Sequence, residues 1–178
     1  IFCMEMEQSD EGTHLGGTGK SLFASSIETM RKQLFIDGQN LNPQKGDFML
    51  QGVERGITDN IFIDDLNRNV DLHKFMPMIT GKMVVNPKYL AAFTIDFKDS
   101  PKVIFTSNHA ISGFDASLRR RTWFAAFSDY YHAEDTQRGL REWNPFLEFG
   151  KNLITDYTPE EMNMLYNFML NCLAVWKK

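Results

Sequence analysis

A glycine-rich loop that leads into a hydroxyl-bearing helix start is the first feature able to do chemistry. It comprises Gly16, Gly17, Thr18, Gly19, Lys20, Ser21 and Leu22. Successive glycines let backbone N–H groups turn toward one anion, a lysine can reach outer phosphates, and a serine hydroxyl can bind magnesium. We therefore expect these residues to bind a nucleotide, with Ser21 as a metal ligand. A chance glycine-rich turn before a helix is the alternative, and His14 stands where the strict loop spacing has glycine.

A pair of carboxylates follows a continuous apolar run. Asn60–Ile63 is typical of a strand buried on both faces of a parallel sheet, and Asp64 and Asp65 stand at its end. There Asp64 would bind Mg²⁺, directly or through water, and Asp65 would polarise an attacking water. The alternative is an ordinary turn at a strand end.

Two later strand patterns carry polar neighbours. The pattern Lys102–Asn108 ends in Asn108, which could orient water beside a γ-phosphate or could simply be a turn residue. Arg119, Arg120 and Arg121 precede the pattern Thr122–Phe127 without a comparable acidic run beside them. One of these arginines could stabilise transition-state charge at a neighbouring subunit's nucleotide. A solvated basic turn or a nucleic-acid contact are the alternatives.

Alternating strands and helices must position these residues. Ile1 to Gln8 predicts a strand, Lys20–Leu34 an amphipathic helix and Asp71–Ile79 a second helix. Parallel strands alternating with helices indicate an α/β fold. The sequence from Thr158 to Glu161 predicts the capped start of a C-terminal helix. We expect an α/β core over residues 1–128 and a helical extension packed on it over residues 129–178.

A β-rich stretch lies between the acidic pair and the Lys102 strand. Lys82 to Tyr89 contains a turn at Asn86-Pro87 and is followed by the strand-like run Phe93–Phe97. We expect a hairpin that projects from the body of the domain.

Composition limits the class of protein. The chain has 178 residues, 43% of them hydrophobic, which suits one globular domain with a core. Its net charge of −4 excludes a uniformly basic surface, yet the stretch from Lys82 to Arg121 has a local balance of +4 that could meet a polyanion. The chain contains no signal-peptide pattern and no long apolar run, so we expect a soluble cytoplasmic protein without membrane partners. We also expect a domain cut from a longer protein, with Cys3 and Cys172 as buried thiols.

Taken in order, these elements resemble the superfamily three helicases, the hexameric AAA+ motors of viral, phage and plasmid replication. The similarity runs from about Gly12 to Phe127 and is strongest to the helicase part of primase-helicases. Its motifs are Gly16–Ser21, Ile61–Asp65, the hairpin from Thr80 to Tyr89, and Val103–Asn108.

The resemblance implies a three-layer phosphate-loop NTPase fold of AAA+ type, with a central, mostly parallel sheet, a projecting hairpin and a C-terminal helical segment. It implies an ATP-dependent DNA helicase or translocase of a phage, plasmid or other mobile element, with ATP and Mg²⁺ as cofactors. The expected partners are single-stranded DNA and further copies of the chain, forming a homo-hexamer, with a primase region in the same polypeptide.

The resemblance also assigns residues outside the nucleotide site. Lys88 and Tyr89 match the tip of a DNA-gripping hairpin, with Lys82 as a further basic residue, although an edge hairpin whose charge deters aggregation is the alternative. Counting back from Phe127 favours Arg121 as the arginine finger, with Arg120 next to it.

Three other functions remain open. A remodelling AAA+ ATPase would have the same nucleotide site and a hairpin that grips no DNA, and the acidic total favours it. An inactive nucleotide-binding scaffold is favoured by His14. A small-molecule kinase would need a lid and an acceptor pocket that the sequence does not indicate.

Overall fold

The computed structural model describes residues 2–5, 18–41, 49–67, 69–108, 115–128, 130–131 and 144–177. The chain divides into two compact units, Ile1–Asp129 and Tyr130–Lys178. The predicted packing of the C-terminal segment on the core stays a prediction. None of the described helices is long and apolar enough to cross a membrane.

The first unit is built on strands. They are β1 (Phe2–Glu5), β2 (Gln33–Asp37), β3 (Asn60–Asp64), β4 (Met83–Val85), β5 (Phe93–Ile95), β6 (Lys102–Ser107) and β7 (Phe124–Phe127). Five of them form a parallel sheet in the order β2-β3-β6-β1-β7. The α/β class is therefore confirmed, and the inner strands β3 and β6 are buried along almost their whole length, as their apolar runs indicate.

The two faces of this sheet bury different side chains. On one face, Phe62 and Ile104 pack with Ala24 of helix α1 (Lys20–Ser26). On the other, Ile61, Ile63, Val103 and Phe105 belong to the larger core. This alternation follows from the two-residue period of side chains along a strand. It places α1 on the face opposite the larger core.

The predicted helix Lys20–Leu34 is wrong in its second half. Helix α1 ends at Ser26, a short 3₁₀ turn follows over Ile27–Thr29, and Leu34 lies in strand β2. The hydroxyls of Ser26 and Thr29 donate to carbonyls three residues back, which competes with a continuing helix. Pairing of β2 with β3 then outweighs the helical spacing of the apolar residues.

The remaining helices are short, with one exception. A 3₁₀ turn over Leu72–Phe75 leads into α2 (Met76–Thr80), which agrees with the helix predicted there, and α3 (Ala116–Arg119) follows β6. The second unit contains α4 (Pro145–Phe149) and α5 (Pro159–Trp176).

Helix α5 begins as the sequence predicts and is more exposed than expected. Thr158 accepts a hydrogen bond from the Glu161 N–H, and the Glu161 carboxylate accepts from the Thr158 N–H. Hydrogen bonds from Lys151 and the Thr158 N–H hold the pKa of Glu161 below its usual value. No residue of α5 is buried, and the expectation of a buried Cys172 is wrong because this thiol is exposed.

The predicted hairpin is present as the antiparallel pair β4–β5. Met83, Val85 and Ile95 bury their side chains in the larger core and anchor its base. Lys88, Tyr89 and the other residues of its connection from position 88 to position 92 are exposed. The hairpin therefore has a fixed base and an exposed tip.

Gly38 lies where β2 and β3 end side by side. Its N–H donates to the carbonyl of Asp64 at 2.7 Å. A Cβ at this position would lie 2.5 Å from the same carbonyl oxygen and 2.9 Å from the Cα of Leu66. Only a residue without a side chain permits this approach.

We expect Gly38→Ala to lower the free energy of unfolding by about 1–3 kcal/mol, because two backbone segments must move apart. Urea denaturation measures the change. Gly81→Ala is the matched control, since its added Cβ would meet only the Pro77 carbonyl, at 3.5 Å. Equal losses in the two variants would contradict this explanation.

Candidate functional site

The carboxyl edge of the sheet collects the residues that the sequence singled out. Asp64 ends β3, Asp65 follows it, and Asn108 follows β6. Lys20 and Ser21 open helix α1. Parallel strands end at the same edge of a sheet, so chain-distant residues meet there.

A hydrogen bond joins the start of α1 to the end of β3. The Ser21 hydroxyl donates to Oδ1 of Asp64 at 2.7 Å. The Thr106 hydroxyl donates to the same oxygen at 2.5 Å. These two hydrogen bonds end on the same oxygen, Oδ1. A hydroxyl and a carboxylate therefore lie close enough to bind one cation through oxygen, as magnesium prefers.

Thr106 connects both members of the acidic pair. It is 1% exposed, and its hydroxyl oxygen accepts from the Asp65 N–H at 2.8 Å while donating to Asp64. A hydroxyl can perform both functions at once. The sequence interpretation missed this residue. Thr106 could have been found from the two-residue period of side chains along β6, because that period places it on the same face of the sheet as Asn108.

Amide groups of residues that follow two other strands hold the side chain of Asp65. Asn108 Nδ2 donates to Oδ1 at 2.9 Å, and Gln39 Nε2 donates to Oδ2 at 2.8 Å. Asp65 itself has a φ of 52°, in the left-handed region that few non-glycine residues adopt. The contacts from Thr106, Asn108 and Gln39 fix that conformation.

Gln39 is the second residue that sequence reasoning missed. It stands in the turn after β2, and the helix predicted through Leu34 concealed that strand and its carboxyl end. The turn is well defined: the Asp37 carboxylate accepts from Asn40 Nδ2 at 2.6 Å and from the Gln39 N–H at 3.0 Å. These two hydrogen bonds, the first above all, hold the pKa of Asp37 below its usual value.

Only part of the glycine-rich loop can be placed. Gly16, Gly17 and His14 lie outside the described residues. Gly19 precedes α1 with a φ of 90°, a conformation that glycine adopts without strain. Lys20 is buried, and its Nζ donates to the Thr18 hydroxyl at 3.2 Å. Leu22 is half-buried in the first turn of the helix.

The three arginines lie on the surface, in α3 and just after it. Arg121 Nη1 donates to the carbonyl and the hydroxyl of Ser117, at 2.9 and 2.6 Å. Within the described part of the chain, the side chains of Arg119 and Arg120 have no hydrogen bond or ion pair, and no contact joins any of the three to the acidic pair. Strand β7, which follows them, is an edge strand. The predicted finger residues therefore face outward and are not part of the site within one chain.

The hairpin separates the residues predicted to bind DNA. Lys88 and Tyr89 are at the tip, where Tyr89 is fully exposed with a φ of 64°. Lys82 lies at the base, and its Nζ is 3.4 Å from Oδ1 of Asp96. The tip therefore presents one lysine and one aromatic ring, and Lys82 is not beside them.

The chain is similar to a known sequence family and, in fold, to solved structures. Residues 13–121 match the profile of a family described as a family of unknown function (DUF5906). No curated protein matches the chain in sequence. Among solved structures, a JCV helicase crystallised with an acetamide compound is similar over 96% of this chain, with 11% identity and a TM-score of 0.43. The chain spans 50% of that helicase chain.

We expect Thr106→Val to lower the free energy of unfolding by about 1–3 kcal/mol, because the partly buried N–H of Asp65 loses its acceptor. Urea denaturation measures the loss. Thr94→Val, on an exposed position of β5, is the matched control and should change stability little. A Thr106→Val protein as stable as the control would show that this hydroxyl does not support the acidic pair.

Proposed function

We infer the function of this chain, which belongs to the family of unknown function DUF5906, from the polar network at the carboxyl edge of its sheet. The proposed activity is hydrolysis of ATP with Mg²⁺. The observation that carries it is the 2.7 Å hydrogen bond from Ser21 to Asp64. A hydroxyl at a helix start and a carboxylate at a strand end suit one magnesium ion bound to nucleotide phosphates.

The residues around this hydrogen bond fit magnesium bound mainly through water and phosphate. Magnesium usually takes one or two carboxylates and completes its octahedron with waters and phosphate oxygens. The described residues contain no cluster of three His, Cys, Asp or Glu side chains that would form an all-protein cage. Bound there, the ion would neutralise charge on the phosphates. Lys20, at the start of the same helix, would bind their outer oxygens.

Asp65 and Asn108 supply the groups for the attacking water. The proposed role of Asp65 is to accept a hydrogen bond from that water, and that of Asn108 is to orient it beside the γ-phosphate. Their mutual hydrogen bond and the one from Gln39 give the Asp65 carboxylate a defined direction. Preorganised groups of this kind need no rearrangement when the reaction begins.

Strand order supports the AAA+-type arrangement in this proposal. Strand β6 lies between β1, which precedes the glycine-rich loop, and β3, which carries Asp64. The chain leaves β1 toward one edge of the sheet and leaves β6 toward the other edge. Ligands of open parallel sheets bind where the order reverses in this way. A phosphate held after β1 would therefore lie beside Thr106 and Asn108.

We expect Lys20→Ala to reduce ATP turnover by about 100-fold or more, because charge on the transferring phosphoryl group loses its lysine. Turnover is measured on the full chain with Mg²⁺, over a range of protein concentrations, since an arginine from a neighbouring copy is part of the proposed site. Lys74→Ala, at an exposed lysine of the same unit, is the control. Hydrolysis that survives Lys20→Ala would refute the nucleotide site.

The finer proposal is a helicase or translocase on single-stranded DNA. Its support is the exposed hairpin tip: Lys88 would contact a backbone phosphate, and Tyr89 would stack on a base or hydrogen-bond to the strand, a combination without sequence preference. The core residues Met83 and Val85 hold the base, so that hydrolysis could move the tip as a unit.

A ring of identical subunits belongs to the same proposal. Arg120 has a side chain without partners among the described residues, whereas Arg121 would have to leave Ser117 to act on a neighbour's phosphate. Assembly as a hexamer, a role in replication of a phage, plasmid or other mobile element, and a primase region in the same polypeptide complete it, on the resemblance described above.

We expect single-stranded DNA to stimulate ATP turnover and Lys88→Ala to remove the stimulation while basal turnover stays within about twofold. Lys98→Ala, at an exposed lysine outside the hairpin tip, is the matched control. Turnover that ignores DNA and Lys88 would favour a remodelling ATPase. Absence of turnover in an assembled oligomer would favour a nucleotide-binding scaffold.

A further inference from the structure

Arg55 lies outside the hairpin and contacts the residues of β5 that are nearest the tip. Its Nη2 donates to the main-chain carbonyl of Thr94 at 2.8 Å. The central carbon of its guanidinium lies 5.2 Å from the centre of the Phe93 ring. Phe93 pairs with Val85 as the last pair before the tip. Arg55 therefore contacts β5 beyond Ile95, the residue of that strand that is buried in the core.

The segment that carries Arg55 is a fixed turn. The carbonyl of Glu54 accepts from the N–H groups of Ile57 and Thr58, at 3.2 and 3.0 Å. The Thr58 hydroxyl accepts from the Glu54 N–H at 2.9 Å and closes the turn from the other side. Gly56 supplies the positive φ, 72°, that such a turn requires. Hydrogen bonds therefore hold the backbone on both sides of Arg55.

This turn is attached to the parallel sheet. Leu50 and Val53 bury their side chains in the larger core. Gly52 lies so close to Leu34 of β2 that a Cβ there would be 2.7 Å from Cδ1 of that leucine. The turn that carries Arg55 therefore packs against β2, the strand whose end leads to Gln39 and, through it, to Asp65.

Arg55 makes two kinds of contact with β5, and together they restrict the orientation of that strand. A guanidinium is planar, so it can stack on a ring face and donate to a carbonyl at the same time, which an ammonium cannot do in the same geometry. The two contacts fix the outer part of the hairpin both along and across β5. Arg55 adds these contacts to the core packing of Val85 and Phe93, the last pair before the tip.

We propose that Arg55 is a positioning residue that holds the outer hairpin, and with it Lys88 and Tyr89, at a fixed angle to the sheet. Its functional consequence rests on the proposed function. If single-stranded DNA pulled on Lys88, Arg55 would resist movement of the hairpin, because the turn that carries Arg55 packs against β2. Removing Arg55 would leave the nucleotide residues intact and weaken the connection between DNA at the tip and turnover at Asp65.

Hydrogen–deuterium exchange on the full chain tests the structural part without DNA or nucleotide. We expect Arg55→Ala to speed amide exchange over residues 82–96 by about 5- to 20-fold, since a charge-assisted hydrogen bond and a cation–π contact are lost. Arg55→Lys should fall between wild type and alanine. Arg31→Ala, at an exposed arginine outside this segment, is the control and should leave these peptides unchanged. Unchanged exchange in Arg55→Ala overturns the proposal.

DNA-stimulated ATP turnover tests the functional part. Arg55→Ala should lose most of the stimulation while basal turnover stays within about twofold of wild type. A normal DNA response in a variant whose hairpin exchanges faster overturns the link between Arg55 and DNA. A wild-type chain that ignores single-stranded DNA refutes the proposed helicase function instead, and the exchange result still decides whether Arg55 holds the hairpin.

Discussion

The Thr106 hydroxyl is the contact on which the rest of the site depends. It is buried at the end of β6, donates to the Asp64 carboxylate and accepts from the Asp65 N–H, so one oxygen contacts two consecutive residues. Asp64 in turn meets Ser21 at the start of α1. This bridge joins the acidic pair to β6, and Asn108 and Gln39 then orient the carboxylate of Asp65. The parallel pairing of β3 with β6 brings the bridge within reach.

Two side-chain amides extend the hydrogen-bond network around Asp65. Asn108 and Gln39 each donate to a different oxygen of Asp65, so residues that follow three strands meet at a single carboxylate. The hydrogen bonds described above reach the two carboxylates from hydroxyl and amide groups. Hydroxyl and carboxylate oxygens of this kind suit a cation that arrives with its own ligand, as a magnesium–nucleotide complex does.

The sequence predicted the parts of the fold whose signals are local. The apolar runs before Asp65 and Asn108 and the capped start of α5 depend on neighbouring residues, and each is present. The hairpin turn lies at Lys88-Tyr89, two residues later than the predicted turn at Asn86-Pro87. Strand β2 was missed because Leu34 continues a helical spacing from Leu22, and only its pairing with β3 reveals the strand. The same error hid Gln39. Thr106 was overlooked because a threonine inside a buried strand is usually only a packing residue.

The left-handed backbone at Asp65 also restricts which residues can occupy this position over evolutionary time. Aspartate and asparagine adopt a φ near 52° more readily than longer or β-branched residues do. Selection at this position would therefore act on backbone conformation as well as on acidity. A substitution by glutamate would change the reach of the carboxylate and raise the conformational free energy of the left-handed backbone. In homologous chains, the identity of this residue should vary together with the hydroxyl at position 106, because the two share one conformational constraint.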